Sequence, residues 1–222
     1  MLDRVLEPEA MDTAEEAREY DAMDFSAVNR SFVDDFLAAH GPCRGGEILD
    51  IGTGTARIPI TLAGIDPNAR VLAIDLAGEM LGVAARNVEG AGLGGRIRLM
   101  HGDAKALGLA DGAFEAVLCN SLVHHVPDPM PALAELARLV APGGTMFVRD
   151  LARPSSDAAV IALVDAHAAG ESPAARSLFD ASLRAALTVG ELSAIAGRLG
   201  LPSEGIEMTS DRHWTWAWRR PG

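Results

Sequence analysis

The chain has 222 residues, 49% hydrophobic and 23% charged, the balance of a globular protein with ample core material. Its formal charge is −12, and so acidic a surface repels phosphate backbones and anionic membranes, which argues against nucleic-acid and membrane partners. Cys43 and Cys119 form no CxxC pair and no zinc-type spacing. The acidic start lacks a leader's apolar segment, and no apolar run reaches the ~20 residues of a membrane span, so a cytoplasmic protein is expected.

Residues 13–40 read as amphipathic helix, with Glu15, Glu16 and Glu19 polar and Tyr20, Met23, Phe32, Phe36 and Leu37 at helical spacings. Gly41-Pro42 and Gly45-Gly46 punctuate the chain, and strand and helix signals alternate from there. Glu47–Ile51 is a strand, followed at once by the turn Gly52-Thr53-Gly54 and by a helix over Ile58–Ala63, where Pro59 is tolerable in the first turn. Arg70–Asp75, Arg96–His101, Ala113–Asn120 and Thr145–Asp150 are further strands, the fourth carrying Cys119 as a small core residue. Helices fall between them at Glu79–Ala91 and Met130–Val140, and Pro142-Gly143-Gly144 makes a turn. Residues 151–187 are Ala-rich and helical, with breaks at Pro154-Ser155-Ser156 and Gly170–Pro173. Thr188–Leu199 is another helix, with Thr188 and Glu191 at capping-box spacing. Ile206–Thr209 and His213–Arg219 form a final hairpin, whose alternation puts Trp214, Trp216 and Trp218 on one face, as sheet-to-helix packing in preference to an aromatic substrate wall.

Buried apolar strands separated by helix-length segments specify an α/β fold. The expectation is a Rossmann-like three-layer sandwich with a seven-stranded, mostly parallel sheet and a C-terminal antiparallel hairpin. One domain is expected over residues 1–222: a helical cap (1–44), a cofactor-binding core (45–150), a helical insert or lid (151–187), and a helix with the last strands (188–222). Leu178, Phe179 and Leu183 would give the insert an apolar pocket or seal it onto the sheet.

Ligands of open parallel sheets sit outside the carboxyl ends of the strands, near the point where strand order reverses. Gly52 and Gly54 leave the backbone bare at the first such end. Asp75 ends the second strand, 23 positions after Gly52, a spacing at which an acid takes ribose hydroxyls. Asp103 follows the third strand, so three acids stand at three successive strand ends. A dinucleotide would prefer a third glycine where Ala56 stands, and its pyrophosphate would meet Asp50 just before the turn. S-adenosylmethionine carries an ammonium and a sulfonium and no phosphate, and acids suit it on electrostatic grounds.

The segments ILDIGTGTA (48–56), VLAIDLAGEML (71–81), HGDAKALGLADGAFEAVLCNSLVHHVPD (101–128) and LARLVAPGGTMFVRD (136–150) resemble the class I S-adenosylmethionine-dependent methyltransferases, closest to the small-molecule group that includes the quinone-biosynthesis C-methyltransferases. The resemblance implies that Asp50, Gly52, Thr53 and Gly54 hold the methionine end of the cofactor and that Asp75 takes both ribose hydroxyls. Leu76 and Met80 would flank the adenine, with Asp103 accepting from its amino group and Ala104 donating from its backbone. Asn120 would line the methionine end, and Tyr20 lies in a helix that often folds over the cofactor in such proteins. Ala56 departs from the glycine that many members carry. Metal-using catechol-type relatives have an acid at the position of Asn120 and an Asp-Asn pair after the fifth strand; this chain has neither, so no metal is expected.

Methyl transfer needs alignment and exclusion of water, and a base only if the acceptor loses a proton. His124, His125 and Asp150 are the candidates for that base or for a substrate anchor. Arg57 would meet an acidic substrate or remain solvated. The expected activity is methyl transfer to a small, apolar or aromatic metabolite. Rivals are a non-catalytic S-adenosylmethionine-binding module and a nicotinamide-dependent oxidoreductase, the latter leaving Asp50 and Asp103 unexplained.

Overall fold

A computed structural model describes residues 2–8 and 12–222; the other four positions of the expected N-terminal cap lie outside this description. The elements in chain order are α1 (Ala14–Ala22), α2 (Ser26–His40), β1 (Glu47–Ile51), α3 (Arg57–Ile65), β2 (Arg70–Asp75), α4 (Gly78–Gly90), β3 (Ile97–His101) and β4 (Phe114–Asn120). There follow a 3₁₀ turn (Val123–His125), α5 (Pro129–Leu139), β5 (Val140–Leu151), α6 (Asp157–His167), α7 (Pro173–Ala185), α8 (Val189–Arg198), β6 (Ile206–Met208) and β7 (His213–Arg219). Two expectations are corrected. The helix over residues 13–40 is two helices, because Met23-Asp24-Phe25 leaves helical geometry and the Asp24 carboxylate accepts from the Ser26 amide and hydroxyl. The turn at Pro142-Gly143-Gly144 lies within β5, with Gly143 at φ 72°.

The sheet has seven strands in the order β3-β2-β1-β4-β5-β7-β6. β1 pairs in parallel with β2 (Ile48 beside Val71) and with β4 (Ile48 beside Ala116), and β6 and β7 pair antiparallel (Ile206 opposite Trp216). Ile48–Ile51, Val71–Ile74 and Phe114–Cys119 are buried throughout, as strands covered on both faces must be. Strand order reverses between β1 and β4, which marks the ends of these two strands as the binding position.

The chain divides into two compact units. The first contains residues 12–120, 131–148 and 217–222. Its core joins α2, α3 and the central strands, with Phe32 and Phe36 edge-on to Phe147 at centroid distances of 5.2 and 5.9 Å. At the amino ends of β1 and β4 the buried Glu115 accepts from the amides of Arg44 (2.8 Å) and Gly46 (2.7 Å) and pairs with His40 Nε2 (3.0 Å). A Cβ on Gly46 would stand 2.6 Å from the Glu115 carboxylate, so this position requires glycine. Burial pushes the Glu115 carboxyl up, but the amides of Arg44 and Gly46 and the His40 ring outweigh it and hold the group below the usual range.

The second unit contains residues 2–8, 121–130 and 149–216. Leu151, Val160, Val164, Leu183 and Ala186 form its core, with Leu2 and Phe179 packed against them. Ser156, Ser172 and Thr188 cap α6, α7 and α8, the last in the expected capping box with Glu191. Trp214 and Trp216 are fully buried.

Candidate cofactor and active site

In the first unit, the chain leaves β1 through a run of left-handed residues: Gly52 (φ 73°), Gly54 (φ 54°) and Ala56 (φ 61°). The Gly52 and Thr53 amides both donate to the Ile74 carbonyl at 2.9 Å, which ties the turn to the end of β2. The Gly54 amide donates to Asp75 Oδ2 (2.7 Å) and the Ala77 amide to Oδ1 (2.9 Å). Asp75 is thus aimed at the turn, with lone pairs left for another donor. Ala56 holds the left-handed conformation that a glycine would take there, at a cost of about 1–2 kcal/mol, so the departure from the family pattern leaves the shape of the turn intact. Ser121, directly after β4, is the other non-glycine residue with positive φ among the described residues (54°). Strained backbone thus stands at the exits of both strands flanking the reversal.

Asp50 is buried, and its Oδ2 has no hydrogen-bond partner; the buried Thr53 hydroxyl beside it has none either. Burial above all, with the Asp75 charge adding to it, pushes the Asp50 carboxyl up to about 7. A buried carboxylate without a counter-charge is costly, and a ligand ammonium would supply one. Asp75 is likewise pushed up, mainly by burial. Leu76 is 36% exposed, a large apolar side chain left open beside Asp75, while Met80 is buried. Asp103 accepts from the Lys105 amide (2.9 Å) and pairs with Lys105 Nζ (3.0 Å), which keeps its carboxyl low, and Ala104 is buried next to it.

A cavity of about 380 Å³ opens at the turn, within the size range of small-molecule sites. Its lining includes Gly52, Thr53 and Asn120, and Tyr20, which reaches 3.7 Å from where a Gly54 Cβ would stand; Asp50, Asp75 and Asp103 are not part of that lining. Burial and the Asp75 charge push the Tyr20 phenol above its usual value. Phe25 and Asn29, which the sequence did not single out, add an aromatic and an amide wall. Tyr20 stacks obliquely on Phe25 at 5.3 Å. Arg57 stays exposed at the cavity rim, as a solvated helix-start arginine would, and its Nε and Nη2 both meet the Asp21 carboxylate at 2.9 Å. Asn87 donates to the same carboxylate (2.9 Å) and to the Thr55 carbonyl (3.0 Å), so α1, the turn and α4 are joined through Asp21. Asp21 gave no signal in the sequence beyond its place on a polar helix face.

In the second unit, Asp150 accepts from His124 Nδ1 (2.5 Å) and from the amides of His124 (3.1 Å) and Leu151 (2.6 Å). Both side chains are buried. Burial opposes their ionisation, but each charge stabilises the other: the Asp150 carboxyl is held low and the His124 ring high. His125 is the opposite case, pushed down to about 4 by burial and by the His124 charge. Arg149 donates from Nε to Thr215 (2.8 Å) and is buried. Residues 2–8 lie against this group, where Arg4 donates to the carbonyls of His124 (3.1 Å), Val126 (2.9 Å) and Ala185 (2.6 Å). Glu7 accepts from the Ser182 hydroxyl (3.2 Å).

Comparison with known proteins adds to this geometry. Residues 49–148 match a family model described as a methyltransferase domain. The demethylmenaquinone methyltransferase of Thermus thermophilus is 39% identical over 111 residues, covering 50% of each chain. The ubiquinone biosynthesis O-methyltransferase of Methylococcus capsulatus is 36% identical over 134 residues, covering 59% of this chain and 54% of its own. The chain therefore spans about half the length of the curated relatives it matches. A SAM-dependent methyltransferase from Aquifex aeolicus superposes with a TM-score of 0.70 at 18% identity, covering 93% of this chain and 98% of that one. By its fold over nearly the whole chain, and by sequence over the core, this protein resembles the class I S-adenosylmethionine-dependent methyltransferases, and its core is similar to that of the quinone-biosynthesis enzymes.

Proposed function

We propose that the chain is an enzyme that transfers the methyl group of S-adenosylmethionine to a small, apolar or aromatic metabolite. The observation that carries the proposal is the buried Asp50 with an unpartnered oxygen at a left-handed glycine turn, a site that lacks only a cation. The donor set fits the cofactor along its length. Asp50 and the turn Gly52-Thr53-Gly54 would take the methionine end, and Asn120 and Tyr20 line the cavity that Gly52 and Thr53 border. Asp75 uses its remaining lone pairs for ribose hydroxyls, and the open Leu76 with Met80 receives the adenine. Asp103, with the Ala104 backbone, faces the adenine amino edge.

Bound there, the cofactor supplies a methyl carbon on a sulfonium leaving group, which suits an in-line displacement. The chain's share is to orient both molecules and to exclude water. The Tyr20, Phe25 and Ile58 side chains give the cavity apolar walls. The His124–Asp150 pair is a proton-holding group, and we assign it, with His125, to the acceptor side of the reaction rather than to the cofactor.

Calorimetry with S-adenosylmethionine and S-adenosylhomocysteine, followed by transfer of a labelled methyl group to a panel of phenols, quinols and amines, tests the proposal. One-to-one binding of both cofactor forms and labelling of one acceptor class are expected. A folded protein that binds neither form would overturn the assignment.

A further inference from the structure

The second unit also sets Glu7 against His124 and His125, a contact that an acceptor-side role for the two histidines does not require. Glu7 Oε1 is buried and accepts no hydrogen bond, yet two imidazole nitrogens stand 3.3 Å away: His124 Nε2 and His125 Nδ1. Neither makes a hydrogen bond to Glu7 Oε1, and His125 Nδ1 meets the Pro8 carbonyl at 3.3 Å instead. The three ligand atoms lie within 4.8 Å of one another. Around a tetrahedral zinc ion, ligand bonds of about 2.0–2.2 Å set neighbouring donor atoms ~3.3–3.5 Å apart. Both Glu7–imidazole spacings match that value.

The surroundings match in kind. His124 Nδ1 is engaged by Asp150 at 2.5 Å, which fixes the ring and turns Nε2 towards Glu7; metal-ligating histidines are held by a carboxylate in this way. Two imidazoles and one carboxylate suit a borderline divalent ion such as zinc. Glu7 is more than a hundred residues from the histidines, so no spacing in the sequence could announce the set.

We propose that Glu7, His124 and His125 form a binding site for a divalent transition-metal ion, with zinc as the expected occupant and Asp150 as a positioning residue. The ion would displace the His124 Nε2 proton and clamp residues 2–8 to the 3₁₀ turn. The site stands independently of the methyltransferase assignment, because its readout is metal binding.

The test uses tag-free, chelator-treated full-length protein titrated with zinc chloride and, in parallel, cobalt chloride. One-to-one saturation is expected, with proton release and intense visible bands from four-coordinate cobalt. Glu7→Gln and His125→Ala should each weaken zinc binding at least tenfold, and Asp150→Asn by roughly 10–100-fold, the usual cost of losing an outer-sphere partner. Zinc should also protect the N-terminal segment from proteolysis. Absence of saturable binding by the wild-type chain, or unchanged binding in a folded Glu7→Gln, His125→Ala double variant, overturns the site. The wild-type cobalt spectrum decides without any variant: bands of six-coordinate aqueous cobalt alone would also refute it.

Discussion

In the proposed site, Asp50 would make cofactor affinity depend on pH. Its carboxyl titrates at about 7 in the ligand-free protein, because it is buried without a counter-charge. A cationic amino group binds only the ionised form, so apparent affinity scales with the ionised fraction. That fraction is about one half at pH 7.0 and about one tenth at pH 6.0, so S-adenosylmethionine should bind about fivefold more weakly at pH 6.0. An α-amino group, with a pKa of about 7.7–8.0, stays protonated across this window. Calorimetry at the two pH values, in buffers of differing ionisation heat, should also find about half a proton released per cofactor bound at pH 7.0. Asp50→Asn should bind weakly with no such slope. Flat wild-type affinity, or the same slope in Asp50→Asn, would refute the reasoning. The sign for stability follows from the same shift. An unfolded aspartate titrates near 3.9, so the native state retains a proton that the unfolded chain has lost. The resulting contribution is fullest below about pH 4 and is lost as pH rises through 7, and Asp50→Asn should remove that loss from the ligand-free protein.

Asp75→Ala should weaken cofactor binding at least tenfold, and unchanged affinity in calorimetry would remove Asp75 from the site. Glu115→Ala strands the buried donors of His40, Arg44 and Gly46 and should cost about 3 kcal/mol, a fall in Tm of roughly 6–12 °C by calorimetry; a fall under about 2 °C would show the network to be dispensable. Because the Glu115 carboxyl is held low, its contribution is present above the unfolded value near 4.3 and fades on further acidification, a slope that Glu115→Gln should flatten in acid titrations. Asp21→Ala releases Arg57 and Asn87 together, and hydrogen exchange in α1 should then quicken by about tenfold for each ~1.4 kcal/mol of lost tethering; unaltered protection of α1 would mean that Asp21 does not hold it.

The strands, the glycine turn and the acids at the strand ends were legible from the chain alone. Each is a local signal: apolar runs bounded by Gly and Asp, and a turn that only small residues can make. The edges of β1 and β2 coincide with the sequence reading, because both strands end where a carboxylate or glycine interrupts the apolar run. The break between α1 and α2 was not legible, because helical periodicity continues through Met23-Asp24-Phe25, while the hydrogen bonds that the Ser26 amide and hydroxyl donate to the Asp24 carboxylate decide against it.

What tertiary structure alone decided is which charges meet. Asp21 and Arg57 stand 36 residues apart and form a latch. Glu115 collects donors from the chain entering β1, and Glu7 comes to lie between two histidines more than a hundred residues away. Periodicity and turn chemistry act over a few residues, so a sequence read locally reveals the glycine turn. The partner of a buried charge is chosen by chain topology and by the cost of leaving that charge alone, and it becomes visible only once the chain has folded.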